Sequence, residues 1–319
     1  MNMQTTALGK TGFNIVPLVF GGNVFGWTID EKTSFAILDA FVDAGFNAID
    51  TADVYSAWAP NNKGGESETI IGRWLKARPG RRDKLKLFTK VGSDMGQPGH
   101  KGLSARWIAQ AVEDSLKRLQ TDYIDLYFSH WPDPEVDYAE TLGAYDKLLN
   151  AGKIRAIGAS NLNAEQLQAS LDVAKAQQLP AYQVLQPEYN LYDRGSFEGA
   201  LQELCVREHI GVVTYFSLAS GFLSGKYRGD TDLSKSARGS RVSKYLNAKG
   251  MRILAALDEV SAQHHVKPAE VALAWLIAAK GVTAPIASAT QVSHINSFAK
   301  AMELQLSPTE LAKLTEAGN

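Results

Sequence analysis

Asp50, Tyr55, Lys90 and His130 have complementary chemistry and lie at or close to the ends of apolar runs in the first half of the chain. A phenol has a pKa near ~10, so at neutral pH it is a poor proton donor to a carbonyl oxygen unless nearby positive charge stabilises the phenolate. Lys90 would supply that charge. An adjacent carboxylate, Asp50, would keep the ammonium protonated in a partly closed cleft, and His130 would orient the carbonyl by hydrogen bonding. Together these side chains predict general-acid catalysis with tuned pKa values, worth roughly 10²–10⁴-fold. Each also has a plainer reading on its own: Asp50 as a helix cap or turn former, Tyr55 as a loop anchor, His130 as a satisfied structural residue. Their joint placement carries the catalytic reading.

The elements that would position these residues repeat along the chain. Short apolar runs are each followed by a stretch with helical periodicity: Leu18 to Gly21 before Glu31 to Ala44, Ala48 to Asp50 before Glu66 to Lys76, and Leu85 to Val91 before Ala105 to Leu119, with Ser104 as N-cap. Then come Tyr123 to Phe128 before Tyr138 to Leu149, Ile154 to Gly158 before Ala164 to Gln177, and Tyr182 to Leu185 before Phe197 to Glu208. Val212 to Tyr215 precedes Met251 to His264 and Pro268 to Ala279, and Val282 to Ile286 precedes Val292 to Ala301. Continuously apolar short strands suit a parallel sheet covered on both faces, and eight such units predict an α/β fold of the (β/α)8 TIM-barrel type, with its chemistry at the strand C-terminal rim. An open doubly wound sheet is the alternative, and no G-x-G-x-x-G follows the first strand to support it. Lys10-Thr11-Gly12 predicts an N-terminal β-hairpin on the barrel floor, and Pro308 to Glu316 an extra C-terminal helix. The long connections Asp53 to Gly65 and Phe216 to Gly250 are assigned to ligand binding.

Composition agrees with a single domain over residues 1–319. The chain is 45% apolar, and 33 basic against 34 acidic residues leave a formal net charge of -1, with no basic tract for nucleic acid or an anionic membrane. Cys205 is the only cysteine, which excludes an intramolecular disulfide or a multi-cysteine metal site and reads as core packing. His264 and His265 point apart on a helix end, and no metal is expected. Asp122 and Asp125 read as caps or salt bridges, and Arg78, Arg81 and Arg82 as a solvated basic turn. Met1 to Pro17 has no apolar signal region, and no run approaches the ~20 residues of a membrane span. A cytoplasmic protein is expected.

Four ordered motifs resemble the aldo-keto reductase superfamily over nearly the whole chain. Phe46 to Tyr55, with Gly64-Gly65-Glu66-Ser67-Glu68 after it, is similar to that family's Asp-to-Tyr signature; Phe88-Thr89-Lys90-Val91 is similar to its lysine strand; and Arg118 to Tyr127 with His130-Trp131-Pro132 resembles its histidine strand. Ile157 to Asn161 resembles its Gly-x-Ser-Asn segment. The resemblance implies reduction of a small-molecule aldehyde or ketone by hydride transfer from NADPH, with NADH also possible. It implies that Ser160, Asn161 and Gln186 hold the nicotinamide carboxamide, that Tyr215 stacks on the ring, and that Phe216, Ser217, Leu218, Ser220, Gly221 and Lys226 enclose the pyrophosphate. At the adenosine end the chain departs from the pattern: Ser288 stands where many relatives have Gly, and Thr290 and Gln291 stand where a cation often meets the 2′-phosphate. His294 lies a helical turn from Thr290, and Arg238 is the best remaining partner for that phosphate. Phe25, Trp27, Trp58 and Trp131, just beyond strand ends, are expected to wall an apolar substrate pocket. Two alternatives stay open: a Schiff-base aldolase using Lys90, and a cofactor-binding regulatory subunit resembling the potassium-channel β-subunits. Physiological substrate, reaction direction and oligomeric state are not legible in the motifs.

Overall fold

The computed structural model describes residues 3–319; Met1 and Asn2, the first residues of the domain expected over 1–319, lie outside the described residues. A hairpin of β1 (Thr6–Ala7) and β2 (Asn14–Ile15) leads into the strands β3 (Val19–Gly21), β4 (Ala48–Asp50), β5 (Lys86–Val91), β6 (Ile124–Ser129), β7 (Ile154–Ser160), β8 (Val184–Gln186), β9 (Gly211–Thr214) and β10 (Ala284–Ala287). These eight pair in parallel and close into a barrel in which β10 joins β3 to β9. The TIM-barrel expectation is therefore met, with the hairpin and the extra helix in place.

Each strand-to-strand crossover lays a helix on the outside: α1 (Glu31–Asp43), α2 (Glu66–Ala77), α3 (Ala105–Leu119), α4 (Tyr138–Asn150), α5 (Ala164–Gln177) and α6 (Ala200–Glu208). The β9 crossover is longer and carries the short α7 (Gly239–Val242) before α8 (Ala248–His264) and α9 (Pro268–Ala278), while α10 (Ser293–Glu303) and α11 (Pro308–Ala317) follow β10. Helix starts follow local chemistry: the Ser104 and Asn163 side chains accept the N–H three residues on, and Asn247 starts α8 earlier than Met251 by accepting from Gly250. Alternating strand residues build two cores. Val19, Ala48, Phe88, Leu126, Val184 and Val213 fill the barrel with Leu8 and Ile15 of the hairpin beneath them, and a larger cluster lies between strands and helices. Cys205 is buried in the outer cluster.

The basic turn is not simply solvated. Arg78 grips Asp39 with two nitrogens, Arg81 pairs with Asp43, and Arg82 reaches Asp125 at 2.7 Å. Asp125 lies within β6 and is fully buried, so three cationic side chains collect at its one carboxylate. His264 pairs with Glu310 rather than acting with His265. No helix of the described residues is long and apolar enough to cross a membrane.

Candidate active site

A single rim of the barrel gathers the reactive residues, because every strand ends there: Gly21, Asp50, Lys90, His130, Ser160, Gln186, Tyr215 and Ser288 each sit at or just past a strand C-terminus. A cleft of about 1090 Å³ opens over this rim, between the connection Thr51 to Gly65 on one side and Phe216 to Gly250 on the other.

Lys90 lies at the bottom, fully buried, and spends its three N–H donors on Asp50 Oδ2 at 2.7 Å, the Thr51 carbonyl at 2.8 Å and Tyr55 Oη at 2.9 Å. Asp50 turns its other oxygen to Gln186 Nε2, 2.9 Å away. The backbone holds this arrangement: Thr51 N–H donates to the Phe88 carbonyl, Asp53 N–H to the Lys90 carbonyl, and Ser56, at φ 77, anchors the loop by donating to the Phe25 carbonyl. Tyr55 is thereby pressed against Lys90, whose Nζ is 4.6 Å from the ring centre. His130 follows β6, its ring 5.9 Å from that of Tyr55, and its Nδ1 lies 3.0 Å from Ser93 Oγ.

The electrostatics differ from the sequence expectation in one respect. Burial pushes the Tyr55 phenol well above its ordinary pKa, and Asp50 adds to the rise, so Lys90 does not pull it down at rest. The reason is geometric: the Lys90 ammonium is already committed to Asp50, whose carboxylate is 3.4 Å from the phenol oxygen and offsets the cation. Lys90 is itself lowered by burial, against the opposing pull of Asp50. His130 is held well below its usual value by burial and by the Lys90 charge, so the imidazole is neutral at pH 7.

Beyond these residues the cleft narrows into a polar channel. Ser160 Oγ donates to the Gln186 carbonyl, Asn161 Nδ2 to the His130 carbonyl, and Tyr215 Oη to Asn161 Oδ1 at 2.7 Å, so Asn161, at φ 62, ties three strand ends together. Phe216, Ser217, Leu218, Ser220, Gly221 and Lys226 line the next stretch. The backbone there turns left-handed at Phe216, Ala219, Ser220 and Gly221, with the Ala219 and Gly221 N–H groups donating to the Phe216 and Leu218 carbonyls. Ser288, Thr290, His294 and Arg238 close the far end. Ser288 Oγ and Arg238 Nη2 both donate to Asn23 Oδ1, and His294 Nδ1 accepts from the Thr290 N–H. Burial and the neighbouring Arg241 lower Arg238 to about 10. Among the described residues, Lys226, Arg238 and Lys267 face the channel without a carboxylate partner. Unpaired cations beside the hydroxyls of Ser217, Ser220 and Ser224 fit a dinucleotide phosphate chain.

Trp27, Trp58 and Trp131 line the cleft, with Trp27 packed edge-on to Trp58 at 5.6 Å and Trp131 stacked beside His130 at 5.9 Å. Phe25 does not reach it. A 3-10 turn over Gly22–Val24 rotates Phe25 inward, where it is fully buried and stacked on Phe20 at 5.3 Å. Sequence reasoning missed Asn23, Ser93, Arg241 and Lys267, all of which line the cleft. Ser93 had a signal, lying three residues past Lys90; Arg241 and Lys267 reach the cleft from the long connection and the start of α9, and no motif marked them.

A model of the aldo/keto reductase family matches residues 17–319. Among curated proteins, the chain is 34% identical over 98% of its length to "uncharacterized oxidoreductase YrpG" of Bacillus subtilis, covering 95% of that protein. It is 32% identical to "protein tas" of Escherichia coli, over 98% of this chain and 96% of that one. It is also 31% identical to a "probable voltage-gated potassium channel subunit beta" of Arabidopsis thaliana, again over 98% and 96%.

Proposed function

Because the chain belongs to the aldo/keto reductase family, we propose that it reduces aldehydes or ketones to alcohols at the expense of NADPH, with NADH the poorer donor and Tyr55 the general acid. The observation that carries this reading is the contact between Lys90 Nζ and Tyr55 Oη at 2.9 Å. Lys90 donates to the phenol oxygen, so the phenol's own proton is directed elsewhere than to Lys90. At rest the phenol is neutral and holds that proton. As negative charge grows on a carbonyl oxygen, the proton passes from Tyr55 Oη, and the phenolate left behind already faces an ammonium in a dry environment, where the attraction is strong. His130, being neutral, donates without competing as an acid. Ser160, Asn161 and Gln186 would hold a carboxamide, Tyr215 would pack on a flat ring, and Ser217, Ser220, Lys226 and Arg238 would hold phosphates. A bound nicotinamide dinucleotide supplies the hydride. A cytoplasmic location belongs to the same reading.

The aldolase alternative is disfavoured, since Lys90 Nζ has no exposed surface and no free donor with which to meet a substrate carbonyl. The channel-subunit likeness favours no separate role while all four reactive residues stand in contact range. The test is the consumption of NADPH and NADH with an activated aromatic aldehyde. Tyr55→Phe is expected to lower kcat by about 10²–10⁴-fold with NADPH binding, read by fluorescence quenching, unchanged. Substantial turnover in that variant would remove Tyr55 as the acid.

A further inference from the structure

Arg241 sits at the mouth of the cleft on α7, and the cofactor reading leaves it without a task. Its guanidinium carbon is 5.5 Å from the centre of the Trp27 ring and 6.0 Å from that of Trp58. Trp58 in turn meets the Tyr55 ring edge-on at 5.9 Å. One indole therefore separates Arg241 from the proposed proton donor, on the aromatic side of the cleft rather than along the serine-rich channel. Arg78, Arg82, Arg118, Arg194 and Arg228 each hold a carboxylate; among the described residues Arg241 has none, and its guanidinium makes no hydrogen bond. A second guanidinium carbon, that of Arg238, lies 5.3 Å from the centre of the same Trp27 ring.

Arg241 is exposed and Arg238 half-buried, and an anion bound at the Arg241 guanidinium would relieve the repulsion between these two cations against one indole. Arg238 is turned to Asn23 and to the channel. Arg241 rests on two ring faces or edges, which orient a planar guanidinium while leaving its N–H donors unspent. Trp58, between Arg241 and Tyr55, and Trp131, beside His130, are 41% and 49% exposed, so the apolar wall of the cleft is open to a ligand.

We propose that Arg241, carried on Trp27 and Trp58, is a specificity-determining residue that receives a carboxylate at the end of the substrate remote from its carbonyl. The preferred substrates would be aldehydes or ketones that also bear an acid group, with a span like that of a carbonyl and a carboxylate across one benzene ring. The proposal rests on the reductase reading above.

The experiment compares 4-carboxybenzaldehyde with its neutral ester, methyl 4-formylbenzoate, at saturating NADPH. The wild type should favour the acid in kcat/KM by about tenfold or more, the range of a charge-assisted hydrogen bond. In Arg241→Gln that preference should vanish through a rise in KM for the acid, with the ester changed by less than about twofold, and Arg241→Lys should restore part of it. NADPH affinity should stay the same in both variants. Equal use of acid and ester by the wild type, or equal losses on both in Arg241→Gln, would overturn the proposal and leave the reductase reading standing. A weakened NADPH affinity would overturn it by making Arg241 a cofactor residue. If the wild type reduces neither aldehyde, the reductase reading falls and takes the proposal with it.

Discussion

Ser93 Oγ lies 3.0 Å from His130 Nδ1, and a neutral imidazole carries one N–H. With the hydroxyl donating to Nδ1, the ring proton stands on Nε2, the nitrogen left to donate to a carbonyl oxygen. Ser93→Ala is therefore expected to lower kcat by about tenfold and to shift the His130 tautomer seen by ¹⁵N NMR, whereas Ser93→Thr should keep both. An unchanged tautomer would assign Ser93 no positioning role. Arg238 bears on the other end of the cleft. If it reads the 2′-phosphate, Arg238→Ala should weaken NADPH binding by roughly tenfold or more and NADH by far less; equal losses would place Arg238 elsewhere on the cofactor. The four reactive residues were legible because each has a chemistry of its own and a place at or shortly after a strand end. Ser93 and Arg241 were not, because serine and arginine are common and only their neighbours give them meaning.

Glu68 joins three elements. It is fully buried on α2, accepts from Arg118 Nε of α3 at 2.6 Å, and accepts from Thr89 Oγ1 of β5 at 2.6 Å, one residue before Lys90. Arg118→Met should cost about 3–5 kcal/mol, since it leaves a buried carboxylate without its cation; urea unfolding would check this, and a loss under about 1 kcal/mol would show that the ion pair adds little to stability. Gly72 on the same helix is needed for close approach, because a methyl there would overlap the Arg118 carbonyl at the end of α3. Both Glu68 and Arg118 stood in the motifs, but their pairing spans two crossovers and has no local signature. Helix starts were more legible where a capping side chain stood, at Ser104 and Asn163 for instance, and less so at α8, whose Asn247 cap lies inside the polar connection. Phe25 was misplaced for a similar reason: its spacing after β3 pointed to the cleft, and a single 3-10 turn sent it into the core.

At the scale of the whole molecule, Asp53 makes stability depend on pH. It is buried beneath the site, neither of its carboxylate oxygens has a hydrogen-bond partner among the described residues, and burial with the nearby Glu68 raises its pKa well above the ordinary value. A carboxyl raised on folding contributes stability that is fully present below its unfolded pKa of about 3.9 and is lost as pH rises through the folded value. Asp53→Asn, which keeps the shape and removes the charge, should therefore raise Tm at neutral pH by on the order of 2 °C or more, with a smaller gain as the pH is lowered. A gain independent of pH would mean that the Asp53 carboxyl titrates alike in the folded and unfolded chains. His130 acts in the opposite sense: its lowered pKa costs stability as pH falls below about 6.5, where the unfolded chain takes up a proton that the folded one refuses. The two can be separated by following the Asp53→Asn variant through both ranges.

The barrel and the membership of its reactive set were already determined by the sequence, because short apolar runs alternating with amphipathic helices have few ways to bury their surface, and the C-terminal end of each parallel strand then falls on one rim. Tertiary structure alone decided how the groups tune one another. Whether Lys90 lowers the phenol of Tyr55 or is neutralised by Asp50 depends on separations of 2.7, 2.9 and 3.4 Å among side chains from two strands and a loop. It also decided which loop residues face the cleft, since one turn buried Phe25 and the fold of the long β9 crossover set Arg241 against Trp27 and Trp58. Periodicity reports which face of an element is apolar; the energy of a charge depends on what comes within a few ångströms of it, and only the closed barrel brings those distant segments together.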